Sequence, residues 1–175
     1  MNRAHRRRMK REAKRGHYVH IFTTRSGKFL MLGGYGPSGD VVVALAATKL
    51  SDADEVAGAL REALHLPGIA VQSIPAHDFI GGVLEGLPKE GADVLVLNDF
   101  AVPLTERGVL CLCHGPLGIF DGQRATTLPA DEWSRLVEEG VWRLRSLYCV
   151  LEELGVLEEL GLEGVDPNRL NEQEQ

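Results

Sequence analysis

The amino-acid sequence predicts an α+β fold: a mixed, mostly antiparallel sheet with helices packed on one face, closed by a long C-terminal amphipathic helix. Three observations carry this. Short β-branched runs stand before, between and after the helical patterns, turn signals of hairpin type separate several of them, and from Asp131 onward the apolar spacing changes to a helical period.

The elements follow in order. "HYVHIFTT", His17 to Thr24, reads as a strand, and "RSGK" turns the chain into a second strand, "FLML", at Phe29 to Leu32. The glycine-rich stretch "GGYGPSGD", Gly33 to Asp40, has the composition of a hairpin loop, and it lacks the Lys-Ser/Thr and the following helix of a phosphate-binding loop. "VVVALAAT", Val41 to Thr48, is a buried strand. In "SDADEVAGALREALHL", Ser51 or Asp52 is placed to cap a helix that carries Val56, Leu60 and Leu64 on one side, and Pro67-Gly68 ends it. Ile69 to Ile74 reads as a strand, Phe79 to Leu84 as a second helix, and "DVLVLND", Asp93 to Asp99, as another buried strand. "VPLTERGVLCLC" alternates like two strands joined across Thr105 to Gly108, and Asp121-Gly122 gives a hairpin signal. Trp133, Leu136, Val137, Val141, Leu144, Leu147, Tyr148 and Leu151 then trace one side of a single long helix, which ends in the near-repeat "VLEELGVLEELG".

Of 175 residues, 44% are hydrophobic, enough for one core without requiring two. The expected organisation is a basic arm at 1–16, one α+β domain at 17–161 and a polar tail at 162–175. Charge supports the first boundary. Residues 1–16 hold eight Lys/Arg and one Glu, a net +7, whereas the rest of the chain has eleven Lys/Arg against 24 Asp/Glu, a net −13. A phosphate-rich partner is attracted by the arm and repelled by the body, so coating of nucleic acid by the whole surface is excluded. Three cysteines give no disulfide framework, which fits a reducing compartment. No apolar run of signal-peptide or membrane-span length is present, so the expected location is cytoplasmic, without membrane contact.

The candidate nucleic-acid-binding residues are Arg3, Arg6, Arg7, Arg8, Lys10, Arg11, Lys14 and Arg15. Wound as a helix, Arg3, Arg7, Lys10 and Lys14 form one stripe with arginines beside it, and Ala4, Met9 and Ala13 make no face wide enough to dock on a core. An arm of this kind orders on RNA or another polyanion. Residues Arg6-Arg7-Arg8, Lys10-Arg11 and Lys14, followed by His17 or Tyr18 as an aromatic that can stack on a base, resemble the arginine-rich peptides of lambdoid phage antitermination proteins, a resemblance that implies a helix folding on an RNA hairpin.

Three further features compete for function. The strip Leu151, Leu154, Leu157 and Leu160 offers a helix face for a protein partner or a second copy of the chain. His77 and Asp78 follow one strand and Asn98 and Asp99 another, so parallel neighbouring strands would bring them to one sheet edge, where a small enzyme could work from His77, Asp78 and Asp99. These residue types are also ordinary caps and turn formers. Cys111 and Cys113 would share a strand face, where a metal could find two sulfurs and the imidazole of His114, but a tetrahedral zinc site needs a fourth ligand and a second paired motif, and only the isolated Cys149 remains; no metal or cofactor is expected. Segments "VVVALAATKLSDADEVAGAL" and "AVQSIPAHDFIGGVLEGLPKEGADVLVLND" resemble SseB-like (enhanced serine sensitivity) domains over residues 41–99, at the Val41–Val43 strand, Leu66 to Ile74, the helix before Leu87-Pro88, and Leu95 to Asn98. That resemblance brings no catalytic residues and implies a regulatory or interaction domain. The expected function is thus a non-enzymatic binding or regulatory protein whose arm engages RNA or another polyanion, with an interaction module or a small enzyme as alternatives.

Overall fold

The computed structural model describes residues 3–4, 17–119 and 123–155. Among the described residues, eight strands form one mixed sheet: β1 (Tyr18–Thr23), β2 (Met31–Gly36), β3 (Gly39–Ala47), β4 (Ala70–Pro75), β5 (Val94–Leu97), β6 (Phe100–Pro103), β7 (Leu117–Gly118) and β8 (Arg124–Ala125). Helix α1 spans Leu50–Leu64. Helix α2 is a continuous run of an α-turn at Ala76–Asp78, a π-helical turn at Phe79–Val83 and an α-helical segment at Leu84–Lys89. Helices α3 (Glu106–Cys113), α4 (Ala130–Glu138) and α5 (Trp142–Glu153) follow.

β3 is the central strand. One of its edges pairs antiparallel with β2, from Met31↔Ala44 to Gly36↔Gly39, and then with β1 at His20↔Ala47 and Ile21↔Ala46. The other edge pairs parallel with β5, from Val43↔Val94 to Ala46↔Leu97. β4 lies outside β1, β6 outside β5, and the β7–β8 hairpin outside β2. Beyond β8, Thr126 bridges Phe100 in parallel: the Thr126 N–H donates to the Asp99 carbonyl and the Ala101 N–H donates to the Thr126 carbonyl, both at 2.7 Å. The sheet therefore curls back on itself around a core of Val41, Val43, Val94, Val96, Leu117 and Ala125.

Strand alternation sends Ala44, Ala46, Leu95, Leu97 and Val102 to one face, where they meet Phe79, Leu84 and Leu87 of α2 and Val150 and Leu151 of α5. The opposite residues meet Val109 and Leu112 of α3 and Trp133 and Leu136 of α4, while Phe22, Leu32 and Ala47 meet Ala53, Ala57 and Leu60 of α1. Helices thus cover both faces, not the one expected, because a parallel pair buried on both sides gives runs such as Val94–Leu97 without a polar face.

Three local readings change. Gly33 to Gly36 belong to β2, and the turn is confined to Pro37 and Ser38 before Gly39 at φ +130°. The glycines serve contact: a β-carbon at Gly34 would lie 2.6 Å from Val43 Cγ2, and one at Gly36 would strike Cys111 Sγ. "ERGVLCLC" is helix α3, not a strand. Thr105 Oγ1 caps it by accepting from the Gly108 N–H at 3.2 Å, and Gly108, Val109, Cys111 and Leu112 are buried while Leu110 is exposed, a helical period. The long C-terminal helix is two helices. Gly140, at φ +73°, ends α4: its N–H donates to the Val137 carbonyl and the Val141 N–H to the Leu136 carbonyl, the paired bonds of a Schellman stop.

Candidate ligand cleft

A cleft of about 590 Å³ opens at the C-terminal ends of the parallel strands β3 and β5. Phe22, Leu45, Ala47, Val96 and Ile119 give it an apolar floor; Asp52, Glu55 and Val56 of α1 form one wall, and Arg124 and Thr126 another. The third wall is the two-residue turn Asn98-Asp99 between β5 and β6. Asn98 adopts φ +55°, which asparagine tolerates, and it clamps its surroundings. Its Oδ1 accepts from the Thr48 N–H at 3.0 Å, and its Nδ2 donates to Thr48 Oγ1 at 3.1 Å and to Glu153 Oε1 at 3.2 Å. The Asp99 carbonyl accepts from the Thr126 Oγ1 at 3.1 Å, while the residue itself is exposed. Asp52 and Glu55 are also exposed, so three carboxylate residues stand around the opening with Arg124 as the one cationic residue among its described lining. Such a site favours a cationic occupant with some apolar surface.

Sequence reasoning found Asn98 and Asp99 but not their neighbours. Asp52 was legible only as a first-turn acid, and nothing local marks Arg124. His77 and Asp78 do not line the cleft: β4 and β5 run in the same direction, yet β1 and β3 stand between them. His77 Nε2 lies 2.9 Å from Asp78 Oδ1 in the first turns of α2. The proposed grouping with Asp99 is therefore not assembled there.

A second, shallower hollow of about 630 Å³ borders the start of α3, lined by Asp93, Thr105, Glu106, Arg107 and Arg143 among others. Its buried acid is already engaged. Asp93 Oδ2 accepts from the Val42 N–H at 3.0 Å and Oδ1 accepts from Thr105 Oγ1 at 2.8 Å, tying β3, β5 and α3 together.

The cysteines do not share a strand face. Two positions apart on α3 they point about 200° from each other, with Cys111 buried against Gly36 and Cys113 half-buried. Burial, and then the Asp93 carboxylate, pushes the Cys111 thiol pKa up; burial does the same to Cys149, where Arg145 opposes it. His114 Nδ1 lies 2.6 Å from the Leu110 carbonyl, and among the described residues no group of three or more His, Cys, Asp or Glu is placed to hold a metal ion. Leu151 and Leu154 turn into the core at 3% and 9% exposure, so they do not form an open strip. Leu157 and Leu160 lie outside the described residues. So do Arg6, Arg7, Arg8, Lys10, Arg11, Lys14, Arg15 and the Asp121-Gly122 pair; Arg3 is described and exposed.

No described helix is long and apolar enough to cross a membrane. Compared with protein-family models, curated proteins and solved structures, the chain finds no match.

Proposed function

We propose that the protein is a binding or regulatory protein whose basic segment at residues 1–16 engages RNA or another polyanion. The observation that carries this reading is the separation of charge along the chain, +7 in the segment against −13 in the remainder. The body repels phosphates, so affinity for them has one source. The described residues supply no competing chemistry of comparable definition: the cleft gathers carboxylates around an apolar floor without a base–nucleophile pair.

The test is binding of a single-stranded RNA, read by fluorescence anisotropy over a salt series. If about six basic residues neutralise phosphates, log affinity falls with log salt at a slope of roughly −4, from about −0.7 per contact. Replacing the eight Lys/Arg of residues 1–16 by Gln abolishes binding while the protein still unfolds in one cooperative transition. Equal RNA affinity of the two proteins at physiological salt refutes the proposal.

A further inference from the structure

The cleft and the start of β1 lie at one edge of the sheet. β1 begins at Tyr18, and His20 pairs with Ala47, so Val19 stands level with Thr48, whose N–H is bonded to Asn98. The chain preceding β1 thus joins the fold at the edge where the cleft opens. β1 and β5 flank β3 on its two sides, which separates them by about 10 Å. Lys14 and Lys10 precede Tyr18 by four and eight residues, chain lengths of about 13 and about 26 Å when extended, which exceed that separation.

Charge and shape match. The opening presents Asp52, Glu55 and Asp99 against the single Arg124 around an apolar floor, and residues 1–16 carry eight Lys/Arg and the apolar Met9. Carboxylates at the rim of a concave, partly apolar surface attract guanidinium and ammonium groups more strongly than scattered surface acids do, because low-dielectric walls focus their field. Tethering raises the local concentration of the segment at the cleft to the millimolar range, so even weak contacts become populated.

We propose that residues 1–16 dock in cis on the cleft bounded by Asp52, Glu55 and Asp99, and that a polyanion binds by displacing them. The displacement half of this proposal rests on the polyanion reading above; the docking half does not. The cleft is then an internal competitor that sets the threshold for phosphate-rich ligands and rejects those too weakly charged to strip the segment away.

Zero-length carbodiimide coupling of the full chain, followed by peptide mass spectrometry, tests both halves, since it joins lysine amines only to carboxylates in contact. The expected result is coupling of Lys10 or Lys14 to Asp52, Glu55 or Asp99, in preference to the exposed Glu62, Glu85 and Glu138, and loss of that coupling on addition of oligouridylate. Replacing the three cleft acids together, Asp52→Asn, Glu55→Gln and Asp99→Asn, is expected to tighten RNA binding, whereas Glu62→Gln, Glu85→Gln and Glu138→Gln, which change the net charge equally, tighten it less. Coupling spread evenly over all six acids, with RNA binding intact, overturns the docking and leaves the polyanion reading standing. Preferential coupling that persists because oligouridylate does not bind overturns the displacement and the polyanion reading together. An isotope-mixed sample in which the coupled peptides join labelled to unlabelled chains overturns docking in cis.

Discussion

Replacing Gly108 by Ala sets two effects of known sign against each other. Gly108 lies inside α3, where Ala raises intrinsic helix stability by about 1 kcal/mol. Yet a β-carbon there would collide with the Asp93 carbonyl oxygen and come within 3.0 Å of its carbon and 3.3 Å of Val94 Cγ2. The obstruction cannot yield cheaply. Asp93 is held by its N–H to the Val42 carbonyl at 2.8 Å, by its carbonyl from the Leu104 N–H at 2.8 Å and by both carboxylate oxygens. Overpacking against a flexible side chain costs about 1–3 kcal/mol, and here the neighbour is pinned backbone. The clash should outweigh the propensity gain, leaving a net loss of roughly 2 kcal/mol, or a fall in melting temperature of about 4–8 °C for a chain of this size. Gly58→Ala is the control: it lies exposed in α1 with nothing within 4 Å of an added β-carbon, so the propensity term acts alone and stabilises by up to about 1 kcal/mol. Urea unfolding of both variants reads the difference in sign. A Gly108→Ala protein as stable as the parent would mean that α3 does not press on β5 as described, and the account of the junction would fail.

Other expectations follow from single contacts. Asp93→Ala leaves the half-buried Val42 N–H and Thr105 hydroxyl without their acceptors, which should cost about 1–3 kcal/mol in all; an unchanged urea midpoint would refute the linking role of this carboxylate. His20 is buried, with Nδ1 2.8 Å from Ser73 Oγ, and desolvation lowers its pKa against the opposing pull of Asp54. With the folded value depressed, the stability due to neutral His20 is complete above the unfolded value of about 6.5 and is lost as pH falls through it toward the folded value. His20→Gln should flatten the fall in urea midpoint between about pH 7.5 and about pH 5.5, and an unaltered slope would assign the pH dependence to other groups.

The buried strands were legible because β-branched runs such as Val41–Val43 and Val94–Leu97 have no other use in a chain this short. Helix α1 announced itself through its early acids and Leu spacing, although it begins at Leu50 with Lys49 as cap and no side-chain cap bond. α3 was hidden because Val109, Cys111 and Cys113 alternate with leucines and so satisfy a strand period as well as a helical one. What decides between them is the Thr105 cap and the fit of Gly108 against Asp93, a contact between segments that no window of sequence contains. Gly140 carried a stop signal that the continuous apolar stripe obscured. The cleft was half legible: Asn98 and Asp99 follow a strand, while Asp52, Glu55 and Arg124 arrive from segments about 45 residues upstream and 25 downstream.

The position of the cleft follows from how the chain leaves a parallel pair. A chain leaving β3 at Ala47 must travel back before it can enter β5 in the same direction, and it begins that return with α1 only three residues later, which raises a helix wall beside the open strand end. A chain leaving β5 turns back at once through Asn98 and Asp99 into β6, so the rim on that side stays low. The gap between the high wall and the low rim is bounded only because the sheet curls: Thr126 docks on Asp99 and Ala101 and carries Arg124 to the opening. β4 departs in the same direction but lies outside β1, which draws His77 and Asp78 away from the opening. Topology alone therefore separates the imidazole from the cleft carboxylates and brings the chain entering β1 toward them. Arg124 is the one cationic residue among the described lining, and the densest run of cations on the chain lies at residues 1–16, just before β1.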